Sequence, residues 1–296
     1  MTTTSAKDGS FSFENIPYGT WYVREIEQPT GFVLDDTIYP VTIGADGQVV
    51  EIEIVNRYVR GNIHLTKVDS EYPDNKLTGA TFEVYKDSNA NGKLDDGDEL
   101  LGTLTEKEKG EYSMNDLFYG RYFVKETKAP EGFVLDTGVY EVMIDTNGKT
   151  CEVENKAGVG FINDAMRGNL KIVKTSSDGK VKGFAFRITG ANGYDIILET
   201  NDKGEIFIDG LRIGDYTISE VSNSASSMYV IPADKKATVK LGSTTIVEMH
   251  NVLRDTPKTG DTTNLPLLYT LAGLSAVGIA VCGVIGFKKK KKEDRN

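Results

Sequence analysis

Three eight-residue blocks recur with one skeleton: Tyr18-Gly19-Thr20-Trp21-Tyr22-Val23-Arg24-Glu25, Tyr119-Gly120-Arg121-Tyr122-Phe123-Val124-Lys125-Glu126 and Ile213-Gly214-Asp215-Tyr216-Thr217-Ile218-Ser219-Glu220. A Gly stands six residues before a Glu in each. Self-similarity of this kind marks repeated structural units. The blocks alternate with period two and are rich in aromatic and β-branched residues between Gly, Asn and Asp clusters, which predicts strands rather than helices. The joints repeat as well: Asn56, Arg60, Gly61, Asn62 and Lys67 recur as Asn163, Arg167, Gly168, Asn169 and Lys174, 11 residues from Asn to Lys in both.

The expected fold is therefore all-β, with tandem immunoglobulin-like β-sandwich modules. Residues 1–60 read as the C-terminal half of one module, because nothing in them matches Gly79-Ala80-Thr81-Phe82-Glu83-Val84 or Gly183-Phe184-Ala185-Phe186-Arg187-Ile188. Residues 61–167 and 168–254 read as complete modules, and residues 255–296 as a tail. The four residues between Asn56 or Asn163 and the next Gly favour a stiff rod over a loose tether.

Residues two apart on a strand share a face. On that rule, apolar faces end in polar groups. Ile63 and Leu65 lead to Lys67, and Leu170 and Ile172 to Lys174; Trp21 and Val23 lead to Glu25, Tyr122 and Val124 to Glu126, and Tyr216 and Ile218 to Glu220. Ile52 and Ile54 lead to Asn56, Phe161 to Asn163, and Val247 and Met249 to Asn251. A buried, unpaired Lys or Glu tends to neutralise. A neutral amine is a nucleophile, an Asn amide an electrophile and a protonated Glu a proton shuttle, so the three together can form a Lys-to-Asn isopeptide bond with loss of ammonia.

The tail gives an address. Leu265 to Phe287 is 23 residues without a charge, as a helix roughly 34 Å long and enough to span a bilayer core. Lys288 to Lys292 follow and set the cytoplasmic side. Just before this expected transmembrane helix, Thr256-Pro257-Lys258-Thr259-Gly260 resembles the Leu-Pro-x-Thr-Gly sorting signal of Gram-positive surface proteins, with Thr256 where that family has Leu. The resemblance implies a sortase as partner, cleavage between Thr259 and Gly260, transfer of Thr259 to peptidoglycan or a pilus subunit, and cell-wall anchoring through a membrane-inserted precursor.

Composition fits an exported chain. The part before Asp261 holds 28 basic and 41 acidic residues, a net charge of −13, which makes nucleic acid an unsuitable partner. The two cysteines, Cys151 and Cys282, lie on opposite sides of the sorting signal, so the exterior has no disulfide of its own. Met1 to Gly9 lacks the apolar core of a secretory signal, and the sequence is expected to be truncated at its N-terminus.

The modules also resemble the B-type repeats of Gram-positive collagen adhesins (Cna-B, prealbumin-like) and related pilin domains. Their Tyr-x-x-x-Glu-x-x-Ala-Pro-x-Gly-Tyr/Phe box is matched by Tyr122, Glu126, Ala129, Pro130, Gly132 and Phe133. The resemblance implies Lys67 as nucleophile, Glu126 as proton shuttle and Asn163 as electrophile. Asn155 is a rival for the last role, and the equal joint spacing favours Asn163. Lys174, Glu220 and Asn251 occupy the same places in the third module, where Ser222 to Ser227 replaces the Ala-Pro-x-Gly portion. The first module keeps Glu25 and Asn56 without a matching Lys strand. The Tyr-Pro-Lys polymerisation motif of pilus shafts is absent: Tyr72-Pro73 is followed by Asp74.

Asp87 to Glu99 follows the spacing of a calcium loop, with Asp87, Asn89, Asn91, Asp95 and Asp98 as side-chain donors and Lys93 giving its carbonyl. No nucleophile elbow, phosphate loop or zinc spacing is present, and His64 and His250 fall opposite the apolar faces, so no enzyme is expected beyond intramolecular bond formation. The expected function is a structural stalk on the cell surface. The alternative is an adhesin for a host matrix protein, or a minor or basal pilin subunit.

Overall fold

A computed structural model describes residues 1–255; the expected sorting signal, transmembrane helix and basic tail lie outside the described residues. The described chain is all-β apart from one short 3-10 turn, Ala191–Gly193. Among the described residues no helix is long and apolar enough to cross a membrane. By contacts the chain divides into two compact units, one holding residues 1–170, 208–216 and 237–245, the other residues 171–207, 217–236 and 246 onward.

The centre of the first unit is a sandwich. One sheet runs Val139–Ile144, Gly120–Lys128, Thr81–Lys86, Glu99–Thr103. The facing sheet runs Thr150–Glu152, Arg60–Asp69, Glu111–Phe118, Thr105–Glu108, and Phe161–Asn163 adds in parallel to Arg60–Asp69. Alternation along Arg60–Asp69 turns Ile63 and Leu65 inward, where they pack with Phe82, Val84, Tyr112, Tyr122, Val124, Ile144 and Phe161. Phe161 meets the rings of Phe82 and Tyr140 edge-on, at centroid distances of 4.9 and 5.0 Å. Such pairs add to the burial of apolar area that drives the two sheets together.

Two further four-stranded sheets repeat the plan: Glu205–Arg212, Arg167–Ser176, Thr244–Leu253, Tyr229–Val230, and Asp195–Glu199, Ala185–Thr189, Gly214–Val221, Lys235–Val239. Leu170, Ile172, Phe184, Phe186, Ile188, Ile218 and Met249 are buried.

Within residues 1–60, the expected last strand leading to Asn56 does not form. Gly19–Val23 pairs with Tyr39–Ile43, and Phe32–Val33 with Arg57–Tyr58, but residues 51–56 form no strand. Trp21 and Tyr22 are exposed. A strand exists only with a partner for its N–H and C=O groups. In the second module Arg60–Asp69 is that partner for Phe161–Asn163, and among the described residues nothing fills the same place beside Ile52 and Ile54.

Candidate functional site

Lys67 is fully buried, although a lysine is almost never so without a partner. Its strand is fixed by backbone pairing: Lys67 N–H donates to the Gly110 carbonyl at 2.7 Å. Gly110 has φ +70°, and a Cβ there would meet the Lys67 carbonyl at 3.0 Å, so the approach requires glycine. The third module repeats the device, with Lys174 N–H on the Gly204 carbonyl at 2.7 Å and Gly204 at φ +74°. Lys109-Gly110-Glu111 and Lys203-Gly204-Glu205 carry this signal in the sequence.

In the second module the Lys67 side chain runs inward, its Nζ donating to the Phe161 carbonyl at 3.1 Å and lying 5.3 Å from the Phe161 ring centroid. Parallel pairing of Phe161 with Lys67 and of Asn163 with Asp69 brings the last strand beside the first. Glu126, opposite Phe82 across its sheet, is also buried. Asn163 Nδ2–H donates to Glu126 Oε2 at 2.8 Å and to the Val134 carbonyl at 2.7 Å. Glu126 Oε1 and Asn163 Oδ1 are buried without a hydrogen-bond partner. Unsatisfied polar atoms are costly and uncommon in native cores, and they cluster where chemistry happens.

Burial sets the protonation states. It pulls Lys67 down to about 8, against the opposing pull of the Glu126, Asp136 and Asp69 charges. It pushes Glu126 up, and hydrogen bonds from Asn163 and the Asp136 backbone offset this only in part. Burial thus moves both groups towards their uncharged forms.

The third module brings together the same trio. Lys174, Glu220 and Asn251 are buried, Lys174 Nζ donates to the Thr175 carbonyl at 2.5 Å, and it lies 4.1 Å from the Phe184 ring centroid. Asn251 Nδ2–H donates to Glu220 Oε1 at 2.6 Å, leaving Glu220 Oε2 and Asn251 Oδ1 without partners. Burial again lowers the lysine and raises the glutamate. In the first module Asn56 Nδ2–H reaches Glu25 Oε1 at 2.7 Å, both only partly buried.

The acidic loop is held mostly by its own groups, with the Arg121 guanidinium from the neighbouring strand 3.6 Å from the Asp87 carboxylate and the Arg121 carbonyl accepting Asp87 N–H at 3.0 Å. Asp87 accepts from Asn91 N–H and Gly92 N–H, Asp95 from the side-chain amides of Asn89 and Asn91 and from Gly97 N–H, and Asp98 from Ser88 N–H and Asp95 N–H. Lys93 N–H donates to Asn91 Oδ1. Among the described residues no group of three or more His, Cys, Asp or Glu is gathered to hold a metal ion. A cation would have to displace the amide donors from Asp95.

Two features were not drawn from the sequence. Asp69 is fully buried and gripped by Arg212, Nη1 to Oδ2 at 2.6 Å and Nη2 to Oδ1 at 2.7 Å, while Arg212 also reaches Glu71 at 2.7 Å. Asp136, Tyr140 and Asn155 stand behind Glu126 and Asn163, and the identical runs Gly31-Phe32-Val33-Leu34-Asp35 and Gly132-Phe133-Val134-Leu135-Asp136 are the signal that could have found Asp136.

A family model for SpaA, a prealbumin-like fold domain, matches residues 1–58, 61–157 and 168–252. The Trypsin-resistant surface T6 protein of Streptococcus pyogenes is 28% identical over 194 residues, covering 55% of this chain and 34% of that protein. Serine-aspartate repeat-containing protein D of Staphylococcus aureus is 28% identical over 171 residues, 51% of this chain and 12% of that protein. The chain spans well under two thirds of either relative. Among solved structures, the Bacillus anthracis TIE protein is similar with a TM-score of 0.63 and 26% identity, covering 83% of this chain and 44% of that one.

Proposed function

Because the chain belongs to the SpaA prealbumin-like fold domain family, we propose that it is a stalk of a Gram-positive cell-surface protein, stiffened by Lys-to-Asn bonds that its modules form unaided and joined at Thr259 by a sortase. The observation that carries this reading is the burial of Lys67, Glu126 and Asn163 together, with one oxygen of the acid and the oxygen of the amide unpartnered. Similarity to a protein named for the streptococcal surface supports the location.

The step balances within the cluster. Neutral Lys67 Nζ attacks Asn163 Cγ; the Nζ–Cγ bond forms and the Cγ–Nδ2 bond breaks. Glu126 touches the departing Nδ2, so it gives its proton there and regains one from the attacking nitrogen. Ammonia leaves, and the acid ends as it began. Holding the groups in a dry core replaces an external catalyst, since oriented intramolecular groups reach effective molarities of roughly 10⁵ M or more. The closed bond would tie the first strand of the module to its last, so pulling on the chain would load one covalent path and leave the sheets between unloaded.

Single-molecule pulling of the full chain tests the mechanical claim. The stapled second module should give no unfolding extension, and Glu126→Ala should restore it. An equal extension in both would contradict a stalk built this way.

A further inference from the structure

Glu126 and Asn163 belong to a closed ring of hydrogen bonds that reaches beyond the reacting trio. Asp136 N–H donates to Glu126 Oε2 at 2.8 Å. The Asp136 carboxylate accepts from Asn155 Nδ2–H at 2.7 Å, from Tyr140 O–H at 2.9 Å and from Gly138 N–H at 2.6 Å. The Asn155 amide then pairs with both backbone groups of Ile162: its Nδ2–H donates to the Ile162 carbonyl at 2.8 Å, and its Oδ1 accepts Ile162 N–H at 2.6 Å. Ile162 precedes Asn163, whose Nδ2–H returns to Glu126. An Asn side chain with both halves used in this way imitates a neighbouring strand and leaves the residue after Ile162 little freedom.

The other modules provide the contrast. Asp35 N–H holds Glu25 Oε2 at 2.8 Å, and Tyr39 O–H holds Asp35 at 2.5 Å, repeating the first half of the ring. In the third module, Tyr229–Val230 pairs with Leu253 and Val252 as Val134 N–H bonds the Asp164 carbonyl. This alignment puts Pro232 where Asp136 stands. Proline has no N–H to give: Glu220 accepts from Asn251, whereas Glu126 accepts from both Asn163 and the Asp136 backbone, and each carboxylate keeps one oxygen without a partner.

We propose that Asp136 and Asn155 are positioning residues for bond formation in the second module, holding Glu126 and the Phe161–Asn163 strand at fixed spacing, and that Pro232 denies the third module the same hold. The inference rests on the isopeptide reading above. It assigns Asn155, the rival electrophile, to the support of Asn163 instead. It also ranks the centres: the second closes faster than the third.

The test follows closure in time. Full chain made by cell-free translation is quenched in acid at intervals, and tandem mass spectrometry of digests assigns each ammonia loss to a residue pair. Asn155→Ala should slow the Lys67–Asn163 linkage by about tenfold or more, the scale of a small misplacement of reacting groups. Pro232→Asp should speed the Lys174–Asn251 linkage, a gain that damage to folding cannot imitate. Asp136→Asn keeps the backbone donor but removes a charge. The groups acting on Glu126 are Lys67 and Asp136, and those on Lys67 are Glu126, Asp136 and Asp69; the Asp136 charge works upward on both. Its removal should therefore move the whole pH–rate profile to lower pH, whereas simple loss of structure would lower the profile in place. Normal closure in Asn155→Ala with no gain in Pro232→Asp would overturn the proposal, as would a cross-link mapped to Asn155. Absence of any linkage in the unmutated chain is a separate result and would overturn the isopeptide reading itself.

Discussion

Asn163 gives its amide N–H to Glu126 at 2.8 Å, while its own carbonyl oxygen is buried with no donor. As a finished hydrogen-bond network this is poor, because a buried acceptor left unpaired costs about 1 to 3 kcal/mol. As the ground state of a reaction that expels the amide nitrogen, it is well arranged. The same relationship recurs between Asn251 and Glu220.

Glu126→Gln keeps the shape of the acid and removes its ionisable proton. After allowance for the mass of the substitution itself, the full chain carrying it should be heavier than the unmutated chain by one ammonia from the second module. Lys67 and Asn163 lie 96 residues apart, and opening a covalent loop of that length lowers stability by about 4 to 5 kcal/mol on the chain-entropy model used for disulfides. A denaturant titration should show the lower midpoint.

The rate of closure should depend on pH with two limbs. The lysine must be neutral, and burial brings it to about 8; the acid must be protonated, and burial raises it above the ordinary carboxylate value. The product of the two populations rises with pH while the lysine is losing its charge and the acid is still protonated, and falls once the lysine is neutral and the acid is ionising. These are apparent values of a coupled pair. Time courses buffered from pH 4 to 10 (roughly the range set by the reference values) would read them, and a rate that climbs without limit above pH 9, about one unit past the lysine, would contradict the role of Glu126.

Legibility was uneven, for physical reasons. The alternation in Arg60–Asp69 is a local property, so Ile63, Leu65 and Lys67 could be placed on one buried face from the sequence, and the structure puts them there. Glu126 and Asn163 were legible because repeats display them against their copies. Asp69 was not, since its partner Arg212 is 143 residues away, and nothing local distinguishes a carboxylate destined for burial from a solvated one. Residues 52–56 read as a strand because their alternation is sound, but strand formation depends on a neighbour that alternation cannot see.

Arg212→Ala should be costly. It strips a two-pronged partner from a fully buried carboxylate, a loss of about 3 kcal/mol or more. Arg212→Lys should recover only part, because a lysine cannot form the parallel pair of bonds. Chemical denaturation of the three forms checks the order.

The Asp87 to Asp98 loop gives a metal-removal test. If Asp87, Asn89, Asn91, Lys93, Asp95 and Asp98 bind calcium as their spacing suggests, melting in excess calcium should exceed melting in chelator, by about 2.7 kcal/mol of stability at one hundred times the dissociation constant. Superimposable melts would remove calcium from the account and leave a loop closed by its own amides.

The central claim is one covalent bond. Digestion of the full chain and tandem mass spectrometry should recover a branched peptide joining Lys67 to Asn163, lighter by one ammonia than its two parts and absent in Lys67→Ala. Recovery of the Lys67 and Asn163 peptides only as separate, unmodified species would contradict it.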